Sequence, residues 1–257
     1  MDARPPKRDK VLEYWVRYFA KRSEKFDPDQ PRDEDGKWTD GGGGGDSGGG
    51  EKPSGGGKPE KPSEGQQPKG KPKLAAAKGV STQAKNRVQS AVDAIPATHA
   101  ERLKNVPVDV LATNRDFAKG GGAKDVGLFS WHGGRPMIEI PQSIVLKGKS
   151  GQEYTISIKN IEHNTVHELG HALDHSGDWK EHSKIYREMT AGIDKMTKKE
   201  QSRGQYYISD PRETFAELYA VAHNPKQTGT QRYFGGMKKE RVEEVFKDAL
   251  IKVRAIP

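Results

Sequence analysis

His167-Glu168-Leu169-Gly170-His171 sets two imidazoles and a carboxylate at a spacing that can do chemistry. Residues four apart on an α-helix lie about 40° from one another around the axis, so both rings leave one face, a turn apart, and can grip a single metal ion. Glu168 then stands beside the ion as a base. Neutral imidazoles holding zinc let it lower the pKa of its water to about 7, and a neighbouring carboxylate can take that proton and pass it to a leaving amine. This is the logic of metal-assisted peptide hydrolysis. The flanking Ile161, Val166, Leu169, Ala172 and Leu173 recur at helical spacing and predict a helix over 160–175, with Asn160 as N-cap and Gly177 as stop.

A catalytic zinc usually has three protein ligands, so a third is needed. His163 and His175 continue the four-residue spacing, but His167 and His175 would lie about 12 Å apart along the helix, too far to share an ion, and the same argument removes His163. The longer pattern ending in a third histidine is absent, because Asp174 and Gly177 occupy its glycine and last histidine positions. A second helix is predicted over 211–223. Ser209 or Asp210 caps it, Pro211 suits its first turn, and Phe215, Leu218, Tyr219 and Ala222 form its packing side. Glu213 and Glu217 share one face. On spacing alone Glu213 is either the third ligand or the far half of a capping box with Asp210. Glu217 is either a solvated carboxylate or the group that holds a ligand histidine's second N–H.

The run His167-Glu168-Leu169-Gly170-His171-Ala172-Leu173-Asp174, followed by Tyr206 and then Glu213-Thr214-Phe215-Ala216-Glu217, resembles the catalytic domain of anthrax lethal factor and its relatives, including domains appended to phage head-associated proteins. The resemblance spans roughly 80–257 and is strongest over 167–220. It implies one zinc per chain held by His167, His171 and Glu213, with Glu168 as general base. It also implies a tyrosine seven residues before the third ligand, Tyr206, assisting at the reacting carbonyl. Tyr207 is its neighbour; the spacing selects Tyr206. Glu217 and Asp174 are expected to support the ligands from behind.

Composition divides the chain. Residues 36–79 are dominated by Gly, Pro, Ser, Lys and Asp, which lack the apolar surface to offset ordering entropy, so a disordered linker is expected there. Residues 80–257 are then expected to form one folded domain, which the resemblance implies is a zincin metallopeptidase domain. Residues 1–35 carry a short aromatic patch in which Leu12, Trp15, Val16 and Phe19 repeat at helical spacing; residues 11–19 read as a docking peptide for a partner. The patch is too short and charged to cross a membrane, and its Glu13 and Arg17 exclude a secretory core. Residues 32–39 are similar to segments of phage head-assembly polypeptides, which points to a virion setting or to bacterial or host cytoplasm. None of the 257 residues is cysteine, so neither disulfides nor thiolate ligands are available. The net charge of +8 is interspersed with acids and matches no nucleic-acid reader motif, so a nucleic-acid partner is not expected.

The remaining elements predict an α+β zincin-like fold: a small mixed sheet on the His167 helix, with further helices supplying Glu213. Residues 80–105 read as one or two helices interrupted at Pro96, 106–111 as a strand, and 127–140 as a hairpin turning at Gly133 and Gly134. Pro136 suits an edge strand, so Met137, Ile138, Glu139 and Ile140 are the candidate edge for an extended substrate. Helices are expected over 178–190 and 239–253. His99, His132, His182 and His223 read as surface residues. The function expected is zinc-dependent hydrolysis of peptide bonds in a protein or peptide, phage-associated or toxin-like. The alternative is a non-enzymatic particle or adaptor protein on a degenerate scaffold.

Overall fold

Short apolar runs between 74 and 141 pair into a four-stranded mixed sheet in the computed structural model, which describes residues 70–118, 126–132, 134–148, 150–176, 179–226 and 231–256. The aromatic segment over 1–35 and the linker over 36–69 lie outside the described residues. The strands are β1 (Leu74–Ala76), β2 (Val108–Leu111), β3 (Leu128–His132) and β4 (Arg135–Pro141), in the order β1-β2-β4-β3. β1, β2 and β4 run parallel, and β3 returns antiparallel to β4. A second hairpin, β5 (Ser143–Lys147) with β6 (Glu153–Ser157), stands as its own two-stranded sheet and was not anticipated from the sequence.

Two expectations are corrected here. The domain starts before residue 80, because Leu74 pairs with Val108 and Ala76 with Val110, inside the segment assigned to the linker. β1 buries little: Leu74 is half-buried and Ala75 and Ala76 are exposed, so its contribution is backbone pairing, which composition does not register. Met137, Ile138, Glu139 and Ile140 are not an edge, because β4 is flanked by β2 and β3, and its residues from Ile138 to Pro141 are buried. Pro136 is tolerated for a local reason. Ile138 donates its N–H to Pro107 at 3.0 Å, so the nitrogen of Pro136, two residues earlier, faces the same side just where β2 has not yet begun. Among the described residues, the sheet's edge on the hairpin side is β3.

The helices follow the apolar spacing. Ser81 caps α1 (Thr82–Ala94) by accepting from the Ala84 N–H at 3.1 Å, and Ala84, Val88, Ala91 and Val92 form its buried stripe. Ile95 is extended before Pro96, as a residue preceding proline must tend to be, and α2 (Ala97–Arg102) follows. α3 (Ile161–Ser176) carries the paired histidines and packs on β4, β3 and α1. The Gly177 stop lies outside the described residues. Next come α4 (Trp179–Lys195), α5 (Lys198–Arg203), α6 (Gln205–Ser209) and α7 (Pro211–His223). The single helix expected over 239–253 is two, α8 (Lys239–Val245) and α9 (Lys247–Arg254), broken where Phe246 leaves helical geometry at φ −106°. α7 runs through the interior with Thr214–Val221 all buried, against α3, α4 and α9. The architecture is α+β.

The first turn of α3 is fixed by charge. Arg87 of α1 donates from Nε to Glu162 Oε1 at 2.7 Å and from Nη2 to Oε2, while Glu162 keeps only 5% side-chain exposure. Burial pushes the Glu162 carboxyl up, but Arg87 outweighs it and holds the pKa below its ordinary value. A depressed folded pKa gives stability that is present above the unfolded value and lost as pH falls through the folded one. Arg87→Met should therefore cost about 1–3 kcal/mol at neutral pH by leaving a buried carboxylate without its hydrogen-bonding fork and with only Lys226, 3.9 Å away, as a cationic partner. The deficit should shrink on acidification below the ordinary carboxylate range; chemical unfolding of both proteins across pH checks it.

Candidate metal centre

On α3, residues 163, 167, 170, 171 and 174 fall on one stripe, and α7 meets it with Glu213, Ala216 and Glu217. The helices come close because position 170 is glycine. A Cβ there would lie 2.9 Å from Ala216 Cα and 3.0 Å from Tyr219 Cβ, and neither can yield without moving α7. Across this contact the side chains form two rungs. Glu213 spans His167 and His171, with Oε2 3.4 Å from His167 Nε2 and Oε1 3.4 Å from His171 Nε2. Glu217, one turn on, has Oε2 3.2 Å from His167 Nδ1 and 3.1 Å from His163 Nε2. Its Oε1 accepts the Phe234 N–H at 3.2 Å.

The upper rung is a His/His/Glu triad that could bind a metal ion; one ligand atom from each residue lies within 4.8 Å of the others. Two observations support the fit. Ligands placed tetrahedrally at about 2.0–2.1 Å from an ion are about 3.3 Å from each other, and each oxygen of Glu213 stands 3.4 Å from one of the two imidazole nitrogens, Oε2 from His167 and Oε1 from His171. Glu213 Oε2 is also buried with no hydrogen-bond partner, an acceptor left for something other than a hydrogen. Glu213 does not close a capping box. Asp210 caps α7 with its own carboxylate, accepting from the Arg212 N–H at 2.9 Å.

The electrostatics favour positive charge between these groups. Burial pulls His167 down, but Glu213 and Glu217 with Glu168 prevail and push its pKa up to about 10. Burial pushes Glu213 and Glu217 up, yet the imidazoles of His167 and His171, and of His163 and His167, hold them far below the ordinary carboxylate range. Three carboxylates around these imidazoles form a site that prefers a cation, be it a proton or a metal ion.

Glu168 leaves α3 to one side of the histidine stripe, about 60° around the axis from His171, and is 8% exposed, at the foot of β3. Burial raises its pKa, offset only in part by His171, His167 and the Phe129 N–H. A Cβ on Gly127 would come within 2.7 Å of Glu168 Oε1, so the strand's entry is packed directly on the carboxylate.

The tyrosines are placed differently from the spacing argument. Tyr206 is 67% exposed, its ring edge-on to Tyr207 at 5.2 Å. Tyr207 turns inward, 6.4 Å from the His167 ring and 5.8 Å from that of Phe234. Adjacent residues on a helix point about 100° apart, so α6 can offer only one of them to the interior. Burial first, then Glu217, Tyr206 and Glu213, keeps the Tyr207 phenol protonated far into alkali. Thr214 donates to the Tyr207 carbonyl at 2.6 Å and ties α6 to the first turn of α7.

Asp174 lies on the metal-facing stripe but accepts from Tyr186 of α4 at 2.5 Å, a bond that docks α4 on α3. His99 is fully buried rather than at the surface, with Nδ1 3.0 Å from the Tyr219 hydroxyl and Nε2 2.8 Å from the Ile256 carbonyl. His132 and His223 are half-buried, and the His182 side chain lies outside those described.

Sequence reasoning set His163 aside, although its four-residue spacing from His167 mirrors that of Glu213 and Glu217 and could have signalled two rungs. The Phe234 N–H has no such signal. It is aimed by a tight turn in which Phe234 has φ 45° and Gly235 and Gly236 follow with φ 69° and 155°. Comparison of the chain with protein-family models, curated proteins and solved structures finds no match.

Gly170→Ala should force α3 and α7 apart. The expected result is a stability loss of about 1–3 kcal/mol together with loss of metal binding, read by unfolding in chelator and by metal titration.

Proposed function

We propose that the chain is a zinc-dependent metalloendopeptidase, with His167, His171 and Glu213 holding one zinc ion per chain. The observation that carries the reading is the convergence of these three side chains beside a buried Glu168 of raised pKa. A small mixed sheet, a His-Glu-x-x-His helix and a following glutamate-bearing helix agree with a zincin-like domain and with the resemblance to lethal-factor catalytic domains, both of which belong to this proposal.

Zinc at this triad supplies a Lewis acid for the scissile carbonyl and acidifies water. The protein's own groups do the rest. Glu168, kept from solvent by Gly127 and β3, takes a proton from the attacking water as its oxygen bonds to the carbonyl carbon. It delivers that proton to the amide nitrogen as the C–N bond breaks, leaving a carboxylic acid and an amine. Its raised pKa brings acceptance and release closer together in energy. Tyr207, protonated and turned inward, is positioned to donate its O–H to the oxyanion that develops. Extended substrate is assigned to β3, the sheet edge that lies against Glu168, by strand addition.

Glu168→Gln should keep zinc and lose about 10²–10⁴-fold in peptide hydrolysis, whereas Glu213→Ala should lose both. Metal analysis alongside cleavage of a mixed peptide library distinguishes them, and undiminished turnover in Glu168→Gln would remove the mechanism. Tyr207→Phe should lower kcat by about 10²–10³-fold and Tyr206→Phe should leave it nearly unchanged; the reverse order would return the role to Tyr206.

A further inference from the structure

His163 takes no part in the chemistry above, yet it is 9% exposed and its Nε2 faces the oxygen that also faces His167 Nδ1, Glu217 Oε2. Glu217 is 1% exposed, so these imidazoles and the Phe234 N–H, rather than water, satisfy its carboxylate. An ionised carboxylate oxygen only accepts, so both facing nitrogens must carry hydrogens. For His167 this fixes hydrogen on Nδ1 and leaves Nε2, on the Glu213 side, as the nitrogen available to a metal ion in place of a proton. For His163 it places hydrogen on Nε2 and leaves Nδ1 as a bare acceptor, in keeping with its burial without a partner.

We propose that His163 is a positioning residue for the metal centre: by donating to Glu217 it pins the carboxylate in the orientation that holds the His167 ring with Nε2 toward the ion. This rests on the metal reading above. Without His163, Oε2 keeps one donor in a dry site, and Glu217 is held firmly only through Oε1 by the Phe234 turn. His163, His167 and Glu217 also have the composition of a second metal site. The contacts of 3.1 and 3.2 Å are already hydrogen-bond lengths with a hydrogen available for each. A second ion would require His167 to bind metal through both nitrogens, so the structure assigns these groups to one ion's support.

The test is zinc affinity of the full chain, by chelator competition, in wild type and in His163→Leu, His163→Asn and His163→Gln, with unfolding temperatures in excess chelator. Leucine fills the volume without a donor, asparagine places its amide near Nδ1, and glutamine places its amide near Nε2. The expected result is one zinc per wild-type chain, affinity about 10–100-fold weaker in the leucine and asparagine variants, and recovery to within a few-fold in glutamine. Unweakened binding in His163→Leu, or equal weakening in all three that tracks lost unfolding temperature, overturns the proposal. Two zinc ions in wild type and one in His163→Leu overturns it by making His163 a ligand. A wild type that binds no zinc overturns the metal reading itself, and this inference with it.

Discussion

The approach of α3 to α7 at Gly170 is the constraint from which the rest of the centre follows. Packed helices ordinarily keep their axes 8–10 Å apart, a separation set by the side chains between them. With hydrogen at position 170, Ala216 and Tyr219 come nearly onto the α3 backbone. Glutamates one turn apart on α7 then reach histidines one turn apart on α3, and both rungs form from one contact. A larger residue at 170 would not merely loosen a helix pair. It would lengthen both rungs together, because Glu213 and Glu217 ride on the same rigid segment.

That arrangement is costly for the fold on its own. Glu168 and Glu217 are almost fully buried, and a buried carboxylate loses more hydration than a single hydrogen bond restores. The structure answers with convergence. Glu217 meets two imidazoles and a backbone N–H, Glu162 meets the Arg87 fork at the start of α3, and Asp174 meets the Tyr186 hydroxyl toward its end. The Tyr233–Met237 turn is part of the same economy. Phe234 sits at positive φ, unfavourable for a residue with a Cβ, and stacks its ring on Phe246 at 4.8 Å while its N–H reaches Glu217. The strain is held by apolar packing on one side and a charged acceptor on the other.

What was legible in the sequence was local. The boundaries of α7, a polar cap at Ser209 or Asp210, the break at Pro96 and the histidine spacing on α3 all depend on residues within a turn or two of one another, and the side-chain pattern records them. Sheet order depends on pairing between segments about thirty residues apart. Pro136 looked like an edge because proline lacks an N–H, but the relevant N–H would have pointed past the start of β2, which only the register of β2 against β4 reveals. β1 was invisible for a related reason, since three small side chains contribute backbone bonds and little burial. The different placement of Tyr206 and Tyr207 was hidden at a finer grain. Counting back from Glu213 treats the connection as rigid, whereas α6 ends and α7 begins between them, and the chain's direction changes at Asp210.

The base and the substrate edge are not independent parts under the proposed hydrolysis. Glu168 is walled by Gly127, and the Phe129 N–H donates toward it, so the entry of β3 fixes the carboxylate. In a strand, Phe129 can direct that N–H toward Glu168 only if it does not direct it toward β4, so the backbone group serving the base belongs to the open side of the sheet. An extended peptide added along that side would lie beside the carboxylate that must receive the water's proton. Position of the scissile bond and position of the base are then set by one strand. That is why a glycine, with nothing to push the carboxylate aside, stands where β3 begins.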